Sequence, residues 1–246
     1  GILSPCLSNR YIYDLLLLVS HQKVGCNIGD VFANVFAYAD DIVLLAPSWQ
    51  ALQALLRVLE NGILAIDMSC NTRKTVCMVF SPRQKRKVVS PHFPPLRLFG
   101  TDLLYVDNFK YLGHIIDNKL NDDADIQREI RNLFTRANIL TRRFSLCSQS
   151  VKVALFKSYC ISLYGCALWR NHTVSSLSKL RSCYHRCVKT FFGYKRHDSM
   201  TAVLFKLSIP SFNTLLHNSR CILRSQTVNC INSLLQACCN RVAAII

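Results

Sequence analysis

The chain has 246 residues, half of them hydrophobic, and a formal net charge of +16. That length and apolar content allow one large domain or two smaller ones with a buried core, and they exclude a chain disordered by composition. Residues 1–130 hold equal numbers of basic and acidic side chains, whereas residues 131–246 hold 17 Lys and Arg against a single acid, Asp198. Such a field suits a polyanion, nucleic acid before an anionic membrane surface, because a merely solvated basic face normally interleaves Glu with its Lys and Arg.

In chain order, Ser8–His21 has apolar residues near helical spacing. Val31–Leu45 reads as a hairpin of two apolar strands around Tyr38-Ala39-Asp40-Asp41. Pro47-Ser48 gives a stop and a helix N-cap, and Ala51–Ile66 carries a second apolar helical face. Asn71–Lys74 is a polar turn leading into a strand, Thr75–Phe80. A loop rich in Pro and basic residues follows, Ser81–Pro95, whose Arg83, Lys85, Arg86 and Lys87 are candidates to touch phosphate. Leu96–Phe99, Leu103–Val106 and Phe109–Ile116 read as short strands, with Gly100 and Asp107-Asn108 as turns. The period then becomes helical over Asp122–Leu146, Ser150–Trp169, Val174–Phe192 and Met200–Ser208, with one or two further helices in Ser211–Gln236. The boundary at Asn118–Asp123 coincides closely with the change in charge, so the expected division is 1–120 and 121–246.

Thirteen cysteines, an odd number, lie scattered in helical patterns without a secretory signal. This points to free thiols in a reducing, intracellular compartment, nucleus and cytoplasm undecided. Cys183 and Cys187 have the spacing of a metal pair, but no second pair accompanies them, and core cysteines on a helix fit better. The run Leu15–Val19 is far short of the ~20 apolar residues that span a bilayer, so no membrane segment is expected.

Two adjacent carboxylates at an apolar turn repel each other and call for a positive partner, and a divalent cation with a preference for hard oxygen ligands answers that need. The competing reading is a surface hairpin with a solvated acidic tip. Lys74 is otherwise an ordinary solvated lysine at a strand start, Tyr38 a strand aromatic and Gly113 a turn glycine.

Four short motifs occur in order: Gly1-Ile2-Leu3-Ser4-Pro5, Tyr38-Ala39-Asp40-Asp41, Asn71-Thr72-Arg73-Lys74-Thr75 and Phe109-Lys110-Tyr111-Leu112-Gly113. The series resembles motifs B, C, D and E of the reverse transcriptases of non-LTR (LINE-type) retrotransposons. The resemblance implies an α+β fold, with a partial polymerase palm over residues 1–120 and an all-helical, basic thumb-like region over 121–246. It implies nucleotidyl transfer with two Mg²⁺ or Mn²⁺ ions, which stabilise the attacking and leaving oxygens. Asp40 would be a metal ligand and Asp41 its supporting neighbour or a second ligand. Lys74 would approach the leaving pyrophosphate, and Asn71 would fix its turn. Gly1, Ser4 and Pro5 would lie beside the incoming nucleotide and template, and Tyr38 near the primer terminus. Lys110, Tyr111, Leu112 and Gly113 would grip the primer backbone. The implied partners are an RNA template, a DNA primer and dNTPs, while protein partners stay undefined. Arg131, Arg136, Arg142 and Arg143 are further candidates for phosphate contacts.

The family's third catalytic Asp precedes motif B, and no residue here matches it; Asp14, Asp30 and Asp67 read as helix, loop and turn carboxylates. The expectation is a fragment, inactive alone, of an RNA-directed DNA polymerase. The alternatives are a non-enzymatic nucleic-acid-binding remnant using the basic half, and an unrelated helical interaction protein.

Overall fold

Pro5 falls in the first turn of helix α1 (Ser4–Ser20), where a missing backbone N–H removes no helical hydrogen bond. The helix therefore starts earlier than the apolar spacing predicts. The structure, a computed structural model, describes residues 4–28, 31–81 and 93–243. Gly1, Arg83, Lys85, Arg86 and Lys87 lie outside the described residues.

The chain divides into two compact units, residues 1–106 with 227–246, and residues 107–226. In the first, strands β1 (Cys26–Ile28) and β2 (Val31–Ala33) form one antiparallel pair, and β3 (Val35–Tyr38) and β4 (Asp41–Leu44) form another. Helix α2 (Trp49–Ala65) follows, with Ser48 as N-cap accepting from the Ala51 amide at 3.2 Å. Strand β5 (Val76–Cys77) pairs in parallel with β8 (Leu104–Tyr105), and β6 (Arg97–Leu98) pairs antiparallel with β7 (Thr101–Asp102). Helix α8 (Ser233–Ala243) packs on β1 and β2. Helices α1 and α2 cross where Gly62 leaves room for Leu15: a Cβ there would lie 2.3 Å from its Cδ1. Leu15, Val19, Leu55, Leu59 and Ile63 form a core that also receives Val35, Ile42 and Leu44. Leu56 of α2 also enters a second core with Cys77, Leu96, Leu98 and Leu103.

In the second unit, β9 (Asn108–Tyr111) and β10 (His114–Asp117) form a hairpin that packs on α3 (Asp123–Phe144). Helices α4 (Gln149–Cys160) and α5 (Val174–Phe192) also pack on α3, followed by α6 (Met200–Leu207) and α7 (Phe212–Val228). Leu133, Leu140, Phe156, Trp169, Leu180, Tyr184, Phe191 and Phe212 centre this core. Cys160, Cys166, Cys183 and Cys187 are buried within it, which places Cys183 and Cys187 as core residues on α5.

Three further segments depart from the sequence reading. Val31–Leu45 is not one hairpin: Asn34 separates β2 from β3 because its side chain turns inward, and its amide donates to the carbonyls of Val19 at 2.8 Å, Val24 at 3.2 Å and Gln22 at 3.3 Å. The Val19 carbonyl, in the last turn of α1, also accepts from the Gln22 amide at 3.1 Å, so Asn34 adds a second donor there and ties the helix end to the segment that follows. Phe109–Ile116 is a hairpin turned at Leu112-Gly113, both at positive φ, not a strand. The helix predicted to reach Trp169 stops at Cys160, and Gly165 at φ 79° leads into a short 3₁₀ turn, Cys166–Leu168, that carries Trp169 into the core. Among the described residues every sheet is two-stranded, so the architecture is mixed α and β with small sheets. No described helix is long and apolar enough to cross a membrane.

Candidate active site

The register of β3 and β4 decides what the first hairpin presents. Val35 faces Leu44, Ala37 faces Ile42, Phe36 faces Val43 and Tyr38 faces Asp41. Side chains alternate along a strand, and Val35, Ile42 and Leu44 pack into the core with α1 and α2. Tyr38 and Asp41 therefore share the other face with Phe36 and Val43. Ala39 and Asp40 form a two-residue loop in which Ala39 has φ 51°. A left-handed residue with a Cβ costs roughly 1–2 kcal/mol, strain that persists where the hairpin is held from outside. The holding comes from the core on one face and from the Leu45 amide, which donates to the Asn34 carbonyl at 2.8 Å.

Asp40, Asp41 and Tyr38 are exposed, the tyrosine at 64%. The pair is thus a solvated acidic tip on a packed hairpin, not a desolvated one. Two adjacent carboxylates suit Mg²⁺, which takes one or two protein carboxylates and fills its remaining positions with water and phosphate oxygens. Among the described residues no group of three or more His, Cys, Asp or Glu comes together as a metal site.

Lys74 is exposed at the end of a turn built by Asn71. The Asn71 carbonyl accepts from the amides of Lys74 at 3.1 Å and Thr75 at 3.2 Å, and from the Thr75 hydroxyl at 2.9 Å. The Asn71 side chain also accepts from the Lys74 amide at 3.2 Å. The turn orients Lys74 from its backbone and leaves the ammonium in solvent. Cys77, three residues on, is buried, and burial pushes its thiol up to about 11. Ser4 and Pro5 lie in the first turn of α1.

In the second unit, Lys110 and Leu112 are exposed on the β9–β10 hairpin, while Tyr111 and Gly113 are half-buried. The hairpin sits on a buried ionic network that sequence reasoning missed. Asp125 and Glu129 are fully buried. Arg128 grips Asp125 with two nitrogens, Nε at 2.6 Å and Nη2 at 3.1 Å, and reaches Glu129 with Nη1 at 3.2 Å. Asp125 also accepts from Trp169 Nε1 at 2.8 Å and from the Ile115 amide of β10 at 2.9 Å. His114 Nδ1 lies 3.0 Å from Asp125 Oδ2 but makes no aligned hydrogen bond. Burial alone would raise the Asp125 carboxyl; its donors outweigh burial and hold it well below the usual carboxylate range.

Glu129 is paired on its other oxygen by Arg136 Nη2. Of the four arginines singled out on α3, Arg136 is thus held by an internal carboxylate, while Arg131, Arg142 and Arg143 are exposed. Between α3 and α5 runs a groove of about 650 Å³, lined by Phe134, Ser178, Lys179, Ser182 and Arg186 among others, with the Arg186 guanidinium over the Phe134 ring.

A sequence signal for the network existed. Asp125, Glu129, Leu133, Ala137 and Leu140 fall on one helical stripe, so two acids continue an apolar face.

Residues 1–116 match the family described as reverse transcriptase (RNA-dependent DNA polymerase), a stretch that includes all four motifs. The chain is 31% identical over 137 residues to the Pol polyprotein of the type-1 retrotransposable element R2 from Nasonia vitripennis, covering 51% of the chain and 13% of the relative. It is 33% identical over 117 residues to the R2 Pol polyprotein of Popillia japonica, covering 46% of the chain and 16% of the relative. It is 24% identical over 209 residues to the RNA-directed DNA polymerase of the mobile element jockey from Drosophila funebris, covering 78% of the chain and 21% of the relative. These similarities support a reverse transcriptase domain of the kind carried by non-LTR retrotransposons, and the chain spans about a fifth or less of the relatives it matches.

Proposed function

We propose that these residues form part of an RNA-directed DNA polymerase of a non-LTR retrotransposon, comprising palm elements from motif B to motif E followed by a basic helical thumb. The observation that carries this reading is the β3–β4 register, which holds Asp40 and Asp41 together at the exposed tip of a hairpin whose other face is locked in the core. Divalent ions bound there would stabilise the attacking 3′-oxygen and the leaving pyrophosphate of nucleotidyl transfer. Asp40 serves as ligand and Asp41 as second ligand or support. Tyr38, on the same face as Asp41, meets the primer terminus. Lys74, aimed by the Asn71 turn, offers its ammonium to the pyrophosphate, where a positioned acid is worth roughly 10²–10⁴ in rate. Gly1, Ser4 and Pro5 lie by the incoming nucleotide and template, and Lys110–Gly113 hold the primer backbone.

Two carboxylates fall short of what two ions need, so catalysis requires at least one further acidic ligand, and these 246 residues alone do not extend a primer. The test supplies RNA template, DNA primer, dNTPs and Mg²⁺ to the purified chain and to Asp40→Ala. Extension by the chain that Asp40→Ala abolishes would overturn the requirement for a further ligand. Free buried thiols at Cys77, Cys160, Cys166, Cys183 and Cys187 support residence in a reducing compartment.

A second reading, nucleic-acid binding without catalysis, is favoured by the exposed Arg131, Arg142 and Arg143 on α3 and by Lys179 and Arg186 in the groove beside α5. It predicts polyanion binding that Asp40→Ala leaves unchanged.

A further inference from the structure

The β9–β10 turn adopts a conformation its sequence does not favour alone. Tyr111 pairs with His114, leaving Leu112 and Gly113 as a two-residue loop with φ of 46° and 81°. Positive φ at both positions marks a type I′ turn, for which Asn-Gly is the preferred pair. Gly113 suits it, but Leu112 brings a Cβ into left-handed space, and its side chain is exposed, so packing does not explain it. The turn is held from outside. The Tyr164 hydroxyl donates to the Leu112 carbonyl at 2.7 Å across 52 residues of sequence. The Tyr164 ring lies flush with Gly113, where a Cβ would sit 3.2 Å from Cε1.

Tyr164 is itself fixed from behind. Arg128 Nη2 donates to its backbone carbonyl at 3.2 Å, and the guanidinium lies over its ring, 5.8 Å from the centroid. Arg128 is oriented by the buried Asp125, which also accepts from the Ile115 amide in the same hairpin. The next residue, Gly165, lets the chain pass His114 closely: a Cβ there would lie 2.7 Å from Nδ1.

We propose that Tyr164 is the positioning residue of the Phe109–Gly113 turn, its hydroxyl fixing Leu112 in left-handed geometry while the Asp125–Arg128 pair fixes Tyr164. The inference rests on the reading that this turn holds the primer strand, and it makes the grip a composite of a hairpin and a distant strap. Tyr164 does not itself contact the primer in this arrangement; it sets the path of the backbone that does.

The experiment uses the full chain, wild type and Tyr164→Phe, which removes one oxygen and keeps the ring. Amide hydrogen exchange at His114, paired with Tyr111 where the loop closes, should rise about three- to tenfold, the worth of one net hydrogen bond, while amides in the middle of α5 keep their protection. Fluorescence anisotropy with a labelled RNA–DNA primer–template hybrid should show a similar loss of affinity. Combining Tyr164→Phe with Leu112→Asn, which supplies the preferred Asn-Gly pair, should restore slow exchange at the turn, a rescue that a general packing role for Tyr164 would not give. Unchanged exchange in Tyr164→Phe, or failure of Leu112→Asn to rescue it, overturns the proposal. Faster exchange with unaltered hybrid affinity leaves Tyr164 as the anchor of the turn and removes the primer-holding role, so the two readings fail separately.

Discussion

Replacing Asp125 with Asn tests the buried network most directly. The substitution keeps the shape and removes the charge. Arg128, itself buried, is left facing an amide, and the Asn nitrogen must point at one of the donors the carboxylate accepted: Arg128, Trp169 or the Ile115 amide. Removing one partner of a buried ion pair destabilises by about 3–5 kcal/mol, a large fraction of what a domain possesses. Glu129 still faces Arg128 through Nη1, which places the expectation toward the lower end. The chain has two tryptophans, and Trp169 belongs to the second unit, so urea unfolding followed by fluorescence in a Trp49→Phe background reports on that unit. Acid gives the complementary test. The folded carboxyl of Asp125 lies below its unfolded value of about 3.9, so its contribution is fully present above that value and is lost as pH falls through it toward the folded one. Between about pH 5 and pH 3 the wild type should lose stability more steeply than Asp125→Asn. Parallel acid curves for the two proteins, or a urea difference below about 1 kcal/mol, the worth of one ordinary hydrogen bond, would refute the assignment of Asp125 as the hub.

Gly165→Ala should destabilise the second unit by at least about 1–2 kcal/mol, since the new Cβ meets both a positive φ and His114, and a lower melting temperature checks it. Asn34→Ala should destabilise the first unit by roughly 1–3 kcal/mol by removing the buried amide that bridges the carbonyls of Val19, Gln22 and Val24, read by Trp49 fluorescence in a Trp169→Phe background. Arg131→Gln and Arg136→Gln separate two roles of one residue type on one helix. Arg131→Gln should reduce the slope of log K against log salt for nucleic-acid binding by about 0.7–0.9, whereas Arg136→Gln should chiefly lower stability because the buried Glu129 loses one of its two arginine partners.

Elements that local rules specify were legible in the sequence. Helix α5 runs over Val174–Phe192 as predicted because Thr173 caps its start, accepting from the Ser176 amide, and Gly193 ends it in left-handed conformation. Helix α2 shows its Ser48 cap and its apolar face in the same way. The segments that departed are set by distant partners. Asn34 looked like one more residue in a strand, yet its amide serves the end of α1 fifteen positions earlier. The segment 161–169 had a helical pattern, but the Trp169 indole is drawn to Asp125, and no spacing rule contains that hydrogen bond.

The candidate site divides along the same line. Adjacent acids at a turn, and an Asn that folds back on a Lys, are visible in a few consecutive residues, and their local geometry follows from the chain itself. Their chemistry does not. An exposed Asp40 and Asp41 have the properties of any solvated pair until other groups converge on them, which is why four short motifs in order said more than any one of them. The support beneath Leu112 and Gly113 lay further out of reach, because Asp125, Arg128 and Tyr164 are linked through space and belong to no motif. Two of those three residues are charged and buried, and such a pair contributes little net stability compared with apolar residues of similar volume. What it supplies here is direction: a bidentate guanidinium admits one geometry, and Tyr164 and Ile115 inherit it. If the turn presents its backbone to a primer, as proposed, it needs orientation more than stability, and the ionic network beneath it fits that need better than an apolar contact would.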